Sequence, residues 1–376
     1  MLYNTSKIKL NLFEVSYNMS TTKTTIQDIA NALGFSRVTV SKVLNDSKGV
    51  SEKTKAIVLE KARQMNYKAF QADNASNFSV LTEASQPRES ISLLLHVIPD
   101  SFHMASYFMM SVEQALGKLG YTLSLHLITD QDLHQKVLPA SFHIQNTDAI
   151  LALELFDKPY CEYLCSLGKP VLFYDIYSSF TQGDIAADVL VADNYTASVK
   201  LYSSIIEEHA PSSIGYLGDP DYCLSFFDRY KGFLFMAEQY GFKNTYEKYS
   251  IITNMEKLSD DHWLQKQLKS MVLPKLLVCA NDILAMKAMT YLEQLNIKVP
   301  DDIMVCGYDG TPAIASLYPN LTTIIAPSNE MGIMAAEVLS NRLRNPQLPN
   351  MIITMNSKIQ KKKTTGALSN MLNRII

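Results

Sequence analysis

Glycine is sparse, at 14 of 376 residues, and never gathers into a phosphate-cradling loop or the G-x-S-x-G turn of a nucleophilic serine. That leaves the strand-end acids and amides of the chain without the usual partners of catalysis, and no enzymatic activity is expected. The five cysteines (Cys161, Cys165, Cys223, Cys279, Cys306) form no Cys-x-x-Cys pair and have no His-x-x-x-His nearby, so neither a metal nor another cofactor is expected. Cys161 and Cys165, at helical spacing, read as reduced buried thiols. Long apolar runs are missing too. The nearest, "ISLLLHVI" at 91–98, is the length of a strand and far short of a bilayer span. The opening 18 residues contain neither an apolar core nor a small-residue cleavage site, which points to a cytoplasmic protein.

What is present is unevenly charged. The whole chain carries a formal −3, yet residues 20–68 hold nine Lys or Arg against four acids, a balance of +5 that leaves −8 for the rest. A basic head on an acidic body implies that only the head meets a polyanion.

The head reads as three short helices. In "TIQDIANALG", Ile26, Ile29, Ala30 and Leu33 fall on one helical face. Thr25 with Asp28 forms a capping box, Thr24 with Gln27 offers another, and Gly34 stops the helix. Ser36 is placed to cap a second helix that buries Val40 and Leu44 and exposes Arg37, Val38, Ser41 and Lys42. Ser51 opens a third, with Val58, Ala62 and Met65 inward. This is a helix-turn-helix, and its second helix has the hydroxyls, cations and small apolar group that suit the DNA major groove.

The stretch "TTIQDIANALGFSRVTVSKVLNDSKGVSEKTKAIVLEKARQMNYK" resembles the headpiece of the lactose-repressor (LacI/GalR) family through "T-I-x-D-I-A", "G-F-S-x-x-T-V-S-x-V-L-N", "V-S-E-K-T" and "M-N-Y", in order and without gaps. The resemblance implies base contacts from Arg37, Val38 and Lys42 and phosphate contacts from Thr25, Ser36, Thr39, Ser41 and Asn45. It also places the native start at Met19, with the preceding 18 residues an extension. Beyond the headpiece (20–68) the linker (69–89) departs from the family. Ala69 replaces a proline, Asp73 and Asn74 replace an Ala-Arg pair, and Ser76 stands where a leucine would wedge the minor groove, so a weakened hinge is expected. Phe70 and Phe78 read as linker aromatics rather than substitute wedges.

From Ser90 strands alternate with helices in two series, which implies two doubly wound lobes of parallel sheet with a ligand cleft at the strand C-termini. Asp175, Asp193, Asn194, Asn281, Asp282 and Asp309 follow strands, and Arg229 lies early in a helix. Such groups suit a polyhydroxylated ligand and equally serve as helix caps. Trp263 reads as a core residue, and His96, His103, His126 and His143 as structural.

The resemblance continues in "F-D-R-Y-K-G-F", "A-N-D-I-L-A-M-K-A", "V-P-D-D-I-M-V-C-G-Y-D" and "P-N-L-T-T-I". It implies an all-α headpiece joined to an α/β periplasmic-binding-protein-like core (90–366), with lobe 1 at about 90–191 and 325–352 and lobe 2 at about 192–324 and 353–366. Arg229, Asn281, Asp309, Asp175 and Ser225 then contact an effector, expected to be a sugar. Lys287 replaces a small glycine, and Ser328 stands where sugar-binding members often carry a stacking aromatic. Residues 367–376 read as a packed or frayed tail.

The expected protein is a homodimeric, effector-controlled transcription regulator, most simply a repressor, that binds duplex operator DNA, with the effector setting the lobe angle and so the headpiece spacing. The competing reading is a solute receptor without specific DNA binding, which would need a signal peptide and no headpiece.

Overall fold

The computed structural model describes residues 25–44, 50–65 and 89–366. The chain divides into two compact units, one up to Gln86 and one from Pro87 onward. The expected linker (apart from Glu89), tail and first 18 residues, together with Asn45, lie outside the described residues.

In the first unit α1 (Ile26–Leu33), α2 (Arg37–Leu44) and α3 (Glu52–Gln64) close on a core of Ile29, Ala30, Val40, Val43, Val58 and Ala62. The cap is the Thr25 and Asp28 box: Asp28 N–H donates to Thr25 Oγ1 at 3.3 Å, and Thr25 N–H to Asp28 Oδ2 at 2.8 Å. The Thr25 hydroxyl, which donates to Asp28 Oδ2 at 2.7 Å, and then the Thr25 amide hold the Asp28 carboxyl below its usual range. Gly34 adopts φ +67°, which its missing Cβ makes inexpensive. Ser36 and Ser51 cap the next two helices through the amides of Thr39 and Thr54, each cap stabilising its helix by about 1 kcal/mol. One inward residue differs from expectation. Val43 is buried beside Val40, and Leu44 only partly, because the i, i+3 edge of α2 faces the core.

The second unit holds two sheets. The first contains β1 (Ser90–Leu95), β2 (Thr122–Leu127), β3 (Ala149–Leu153), β4 (Val171–Tyr174), β5 (Asp188–Ala192) and β11 (Ile352–Met355), all parallel in the order β11-β5-β4-β3-β1-β2. Its central strands β1, β3, β4 and β5 are apolar on both faces. Leu93, Leu151, Leu172 and Leu190 belong to one hydrophobic cluster, while their neighbours Leu94, Ile150, Phe173 and Val191 belong to another, as the twofold strand repeat requires of a sheet covered on both sides. The second sheet is β7-β6-β8-β9, from β6 (Ile214–Gly218), β7 (Ile251–Ile252), β8 (Leu276–Cys279) and β9 (Met304–Cys306), again parallel. Beside them β10 (Thr323–Ile325) and β12 (Lys358–Gln360) form an antiparallel pair that the strand and helix alternation did not foretell.

The chain passes between lobes three times, after Ala192, after Ile325 and after Met355. The last crossing was expected at 352. It falls later because all of β11 pairs with β5, and a buried ion pair holds it there. Arg342, near the end of the helix Ser328–Arg344, reaches Asp188 at the head of β5 through Nε (2.9 Å) and Nη2 (2.7 Å), while Asp188 Oδ1 also accepts the amide of Met351 at 2.8 Å. The guanidinium further donates to the carbonyls of Leu348 and Pro349, so it ties the chain entering β11 to the sheet. Replacing Arg342 by Met is expected to destabilise the protein by about 3–5 kcal/mol, since Asp188 keeps a buried charge without its partner. Thermal or urea denaturation of full-length protein measures it, and an unchanged midpoint would refute this account.

Candidate functional site

The headpiece presents Arg37, Val38 and Lys42 on the open side of α2. Val38 is 64% exposed although it is apolar, while Val40 and Val43 of the same helix are buried. Ser36 and Thr25 are exposed, Thr39 and Ser41 half-exposed, and Ser36 Oγ and Thr39 Oγ1 lie 2.8 Å apart. The described DNA-contact candidates thus occupy α2, its start and the start of α1.

In the body, a cavity of about 230 Å³ opens at the C-terminal ends of both sheets. Asp175 follows β4, Ser225 and Arg229 lie on α8 (Leu224–Gln239), Asn281 follows β8 and caps α11 (Asp282–Gln294), and Asp309 follows β9. All five line that one cavity.

Arg229 is its anchor. Only 2% exposed, it donates from Nε to Asn194 Oδ1 (2.9 Å) and from Nη1 to the Ala280 carbonyl (2.7 Å), and Nη2 lies 3.2 Å from Asp309 Oδ1. The guanidinium stacks on Tyr308 at 3.6 Å from the ring centre. Burial works against its charge, but Asp309 and the surrounding phenols outweigh burial and keep its pKa above the ordinary value. Burial raises the Asp309 pKa, against the pull of Arg229 and His103. Although close to Nη2, Asp309 Oδ1 has no aligned hydrogen-bond donor. Asp175 is raised by burial as well, even though its Oδ1 accepts the amides of Ile176 (2.8 Å) and Ser225 (3.2 Å).

Backbone strain marks the same place. Six non-glycine residues have positive φ among the described residues: Lys136, Ala210 and Asn296 at or just past helix ends, and Glu154 (+52°), Asp175 (+57°) and Asp309 (+119°) in the cavity wall. Conformations of this kind cost roughly 1–3 kcal/mol each and gather at functional sites.

Sequence reasoning missed Glu154. It follows β3 just as Asp175 follows β4, so the same strand-end rule would have found it. Burial, with Asp175 and Asp309 adding to it against His103 and Arg229, pushes its carboxyl up to about 7. His103 has the structural part expected of it, capping the helix Met104–Lys118, and it also lines the cavity with Nε2 3.7 Å from Glu154 Oε2. Ser328 starts the helix Ser328–Arg344 and is absent from the cavity lining; Phe156, Tyr174, Tyr222 and Phe226 supply the aromatic surface instead. Lys287 reaches the cavity edge, bonded to Asp261 at 2.8 Å and to the Ser259 carbonyl at 3.1 Å. Asp282 braces the wall from behind. It accepts from Thr323 Oγ1 (2.7 Å) and the Gly310 amide (2.8 Å), and burial, aided by Asp309, lifts its pKa to about 8. A Cβ on Gly307 would come within 2.1 Å of this carboxylate, which explains the glycine before Tyr308.

The Glu154 shift has a sign for stability. An acid raised from 4.5 to about 7 binds more protons folded than unfolded, so its contribution declines as pH rises across that interval and is level above it. Glu154→Gln is expected to flatten the fall in melting temperature between pH 4.5 and 7 relative to the parent protein. Parallel melts of the two across that range test it; identical slopes would mean that Glu154 titrates normally.

Residues 25–69 match the family described as bacterial regulatory proteins, lacI family, and residues 209–365 match a periplasmic binding protein-like domain. The chain is 26% identical over 356 residues to the HTH-type transcriptional repressor PurR of Aliivibrio salmonicida, covering 92% of this chain and 99% of that protein. It is 24% identical to PurR of Proteus mirabilis, covering 91% and 97%. Among solved structures, the lac repressor dimer bound to operator and the anti-inducer ONPF aligns with a TM-score of 0.62 at 19% identity, over 92% of this chain and 99% of that one. A complex of the transcriptional regulator CelR with cellobiose gives 0.62 at 18%, over 91% and 99%. A LacI family regulator from Enterococcus faecium with bound ribose gives 0.61 at 18%, over 74% and 100%. These structural likenesses establish the fold of headpiece and body. The chain thus joins a DNA-binding domain of the lacI family of bacterial regulatory proteins to a periplasmic binding protein-like domain.

Proposed function

We propose that this DNA-binding transcriptional regulator represses transcription as a cytoplasmic homodimer on a pseudo-palindromic operator, under the control of a small polar effector held between the lobes. The observation that carries the effector reading is the convergence of Asp175, Ser225, Arg229, Asn281 and Asp309 on one cavity between lobes joined by three crossings. Carboxylates, an amide and a hydroxyl together satisfy a ligand rich in hydroxyl groups. Sugars bound in two structural neighbours favour a carbohydrate. An effector that bridges the walls changes operator affinity by its differential affinity for the two lobe arrangements. No catalytic step belongs to this reading.

On DNA, Arg37 and Lys42 donate to base edges and Val38 makes apolar contact, while Thr25, Ser36, Thr39 and Ser41, with Asn45 beyond the described residues, hold phosphates. Selecting bound duplexes from a random pool across salt concentrations tests the whole assignment. A palindrome with half-sites about one helical turn apart is expected. Arg37→Ala should relax the preference at its base position by about 1–3 kcal/mol, whereas Thr39→Val should weaken all sequences alike. Binding without preference and steeply dependent on salt would reject the operator reading.

A further inference from the structure

The charges around the cavity do not balance. Of its three cationic side chains, Arg229 is committed to Asp309, Asn194 and Ala280, and Lys287 to Asp261 and Ser259. The third, His103, stands 3.7 Å from Glu154 and is a cation only when protonated. That leaves the lobe 1 wall, Glu154 and Asp175, with more acid than counter-charge. Asp175 is bonded through Oδ1 to two backbone amides and to no cation.

Two further observations point to what completes it. Tyr174 lies between these acids in the lining, and its buried hydroxyl has no partner. Phe156 and Tyr222 meet edge-on with ring centres 5.0 Å apart, and Phe226 stands 5.6 Å from Tyr222, so aromatic surface faces the same space. Aromatic faces and carboxylates together attract a cation, whereas a neutral ligand leaves the buried Asp175 and the half-buried Glu154 without full counter-charge. The cavity, at about 230 Å³, is smaller than the roughly 300–1,000 Å³ of sites for drug-sized molecules, which limits the occupant to about one ring.

We propose that the cleft takes a single-ring sugar or polyol bearing a protonated amino group, seated against Glu154 and Asp175 and beside the Phe156, Tyr174 and Tyr222 rings. This rests on the reading of the cleft as the effector site. Arg229, Asn281 and Asp309 on the opposite lobe are left for the hydroxyls. Glu154 faces His103, Asp175, Asp309, Arg229 and Tyr222. Burial raises its pKa to about 7, and an ammonium favours its ionised form, so binding expels a proton below that pH. Affinity therefore rises with pH toward 7, and falls again where the ammonium itself loses its proton.

Calorimetric titration of full-length protein with D-glucosamine, D-galactosamine and D-mannosamine, each beside its parent hexose, tests the proposal. At least one amino sugar is expected to bind about tenfold or more tightly than its parent, as a charge-assisted contact outweighs a neutral one. That preference should shrink in Glu154→Gln, and in the parent protein the amino-sugar affinity should rise between pH 5 and 7. A parent hexose that binds as tightly as its amine overturns the amine while leaving the cleft as an effector site. Binding by none of the six overturns the proposal, and the effector reading falls separately only if no small molecule alters operator affinity.

Discussion

Everything in the body meets at one buried guanidinium. Arg229 holds Asp309 from one strand end, Asn194 from the first crossing and the carbonyl of Ala280 from another strand end, and its flat face covers Tyr308. A buried cation is tolerated when its charge is answered and its donors find acceptors, and here Nε and Nη1 donate to protein oxygens while Nη2 lies against Asp309. The anion that answers it lines the cavity, and the amide it orients lies at the first crossing, so cavity and crossing share one residue.

The cavity wall stores cost as well as contact. Three carboxylates sit on strained backbone at strand ends, and burial lifts all of them above their ordinary range. Their compensation is unequal: Asp309 has a close guanidinium, Glu154 a histidine at 3.7 Å, and Asp175 two backbone amides. The headpiece is built the other way: its core is small and apolar, its helices are capped by their own hydroxyls, and its polar face is left to a partner.

Much of this was legible in the sequence, because the signals were local. Capping pairs, the glycine stop and the apolar period of α1 carry their own geometry, and the strand ends carrying Asp175, Asn281 and Asp309 follow from βα alternation. What escaped depends on contacts distant in sequence. Val43 rather than Leu44 turns inward because of where α1 and α3 lie. The third crossing follows Met355 because Arg342 and Asp188, 154 positions apart, bind each other. The aromatic lining comes from the loop residues Phe156 and Tyr222 and from Phe226 in the first turn of a helix, in place of Ser328, and no periodicity marks loop residues such as Phe156 and Tyr222 that meet only in the folded chain. Glu154 was within reach of the rule that found Asp175.

The hydroxyl of Tyr308 deserves a mechanical reading. It donates to the carbonyl of Asp193 at 2.9 Å and lies 2.7 Å from Ser357 Oγ, so a single oxygen is fastened to the first and third crossings at once. Hydrogen bonds of this length weaken steeply when stretched or tilted. Two connecting segments thus share one anchor beside the cavity, and displacing the phenol would loosen both at once.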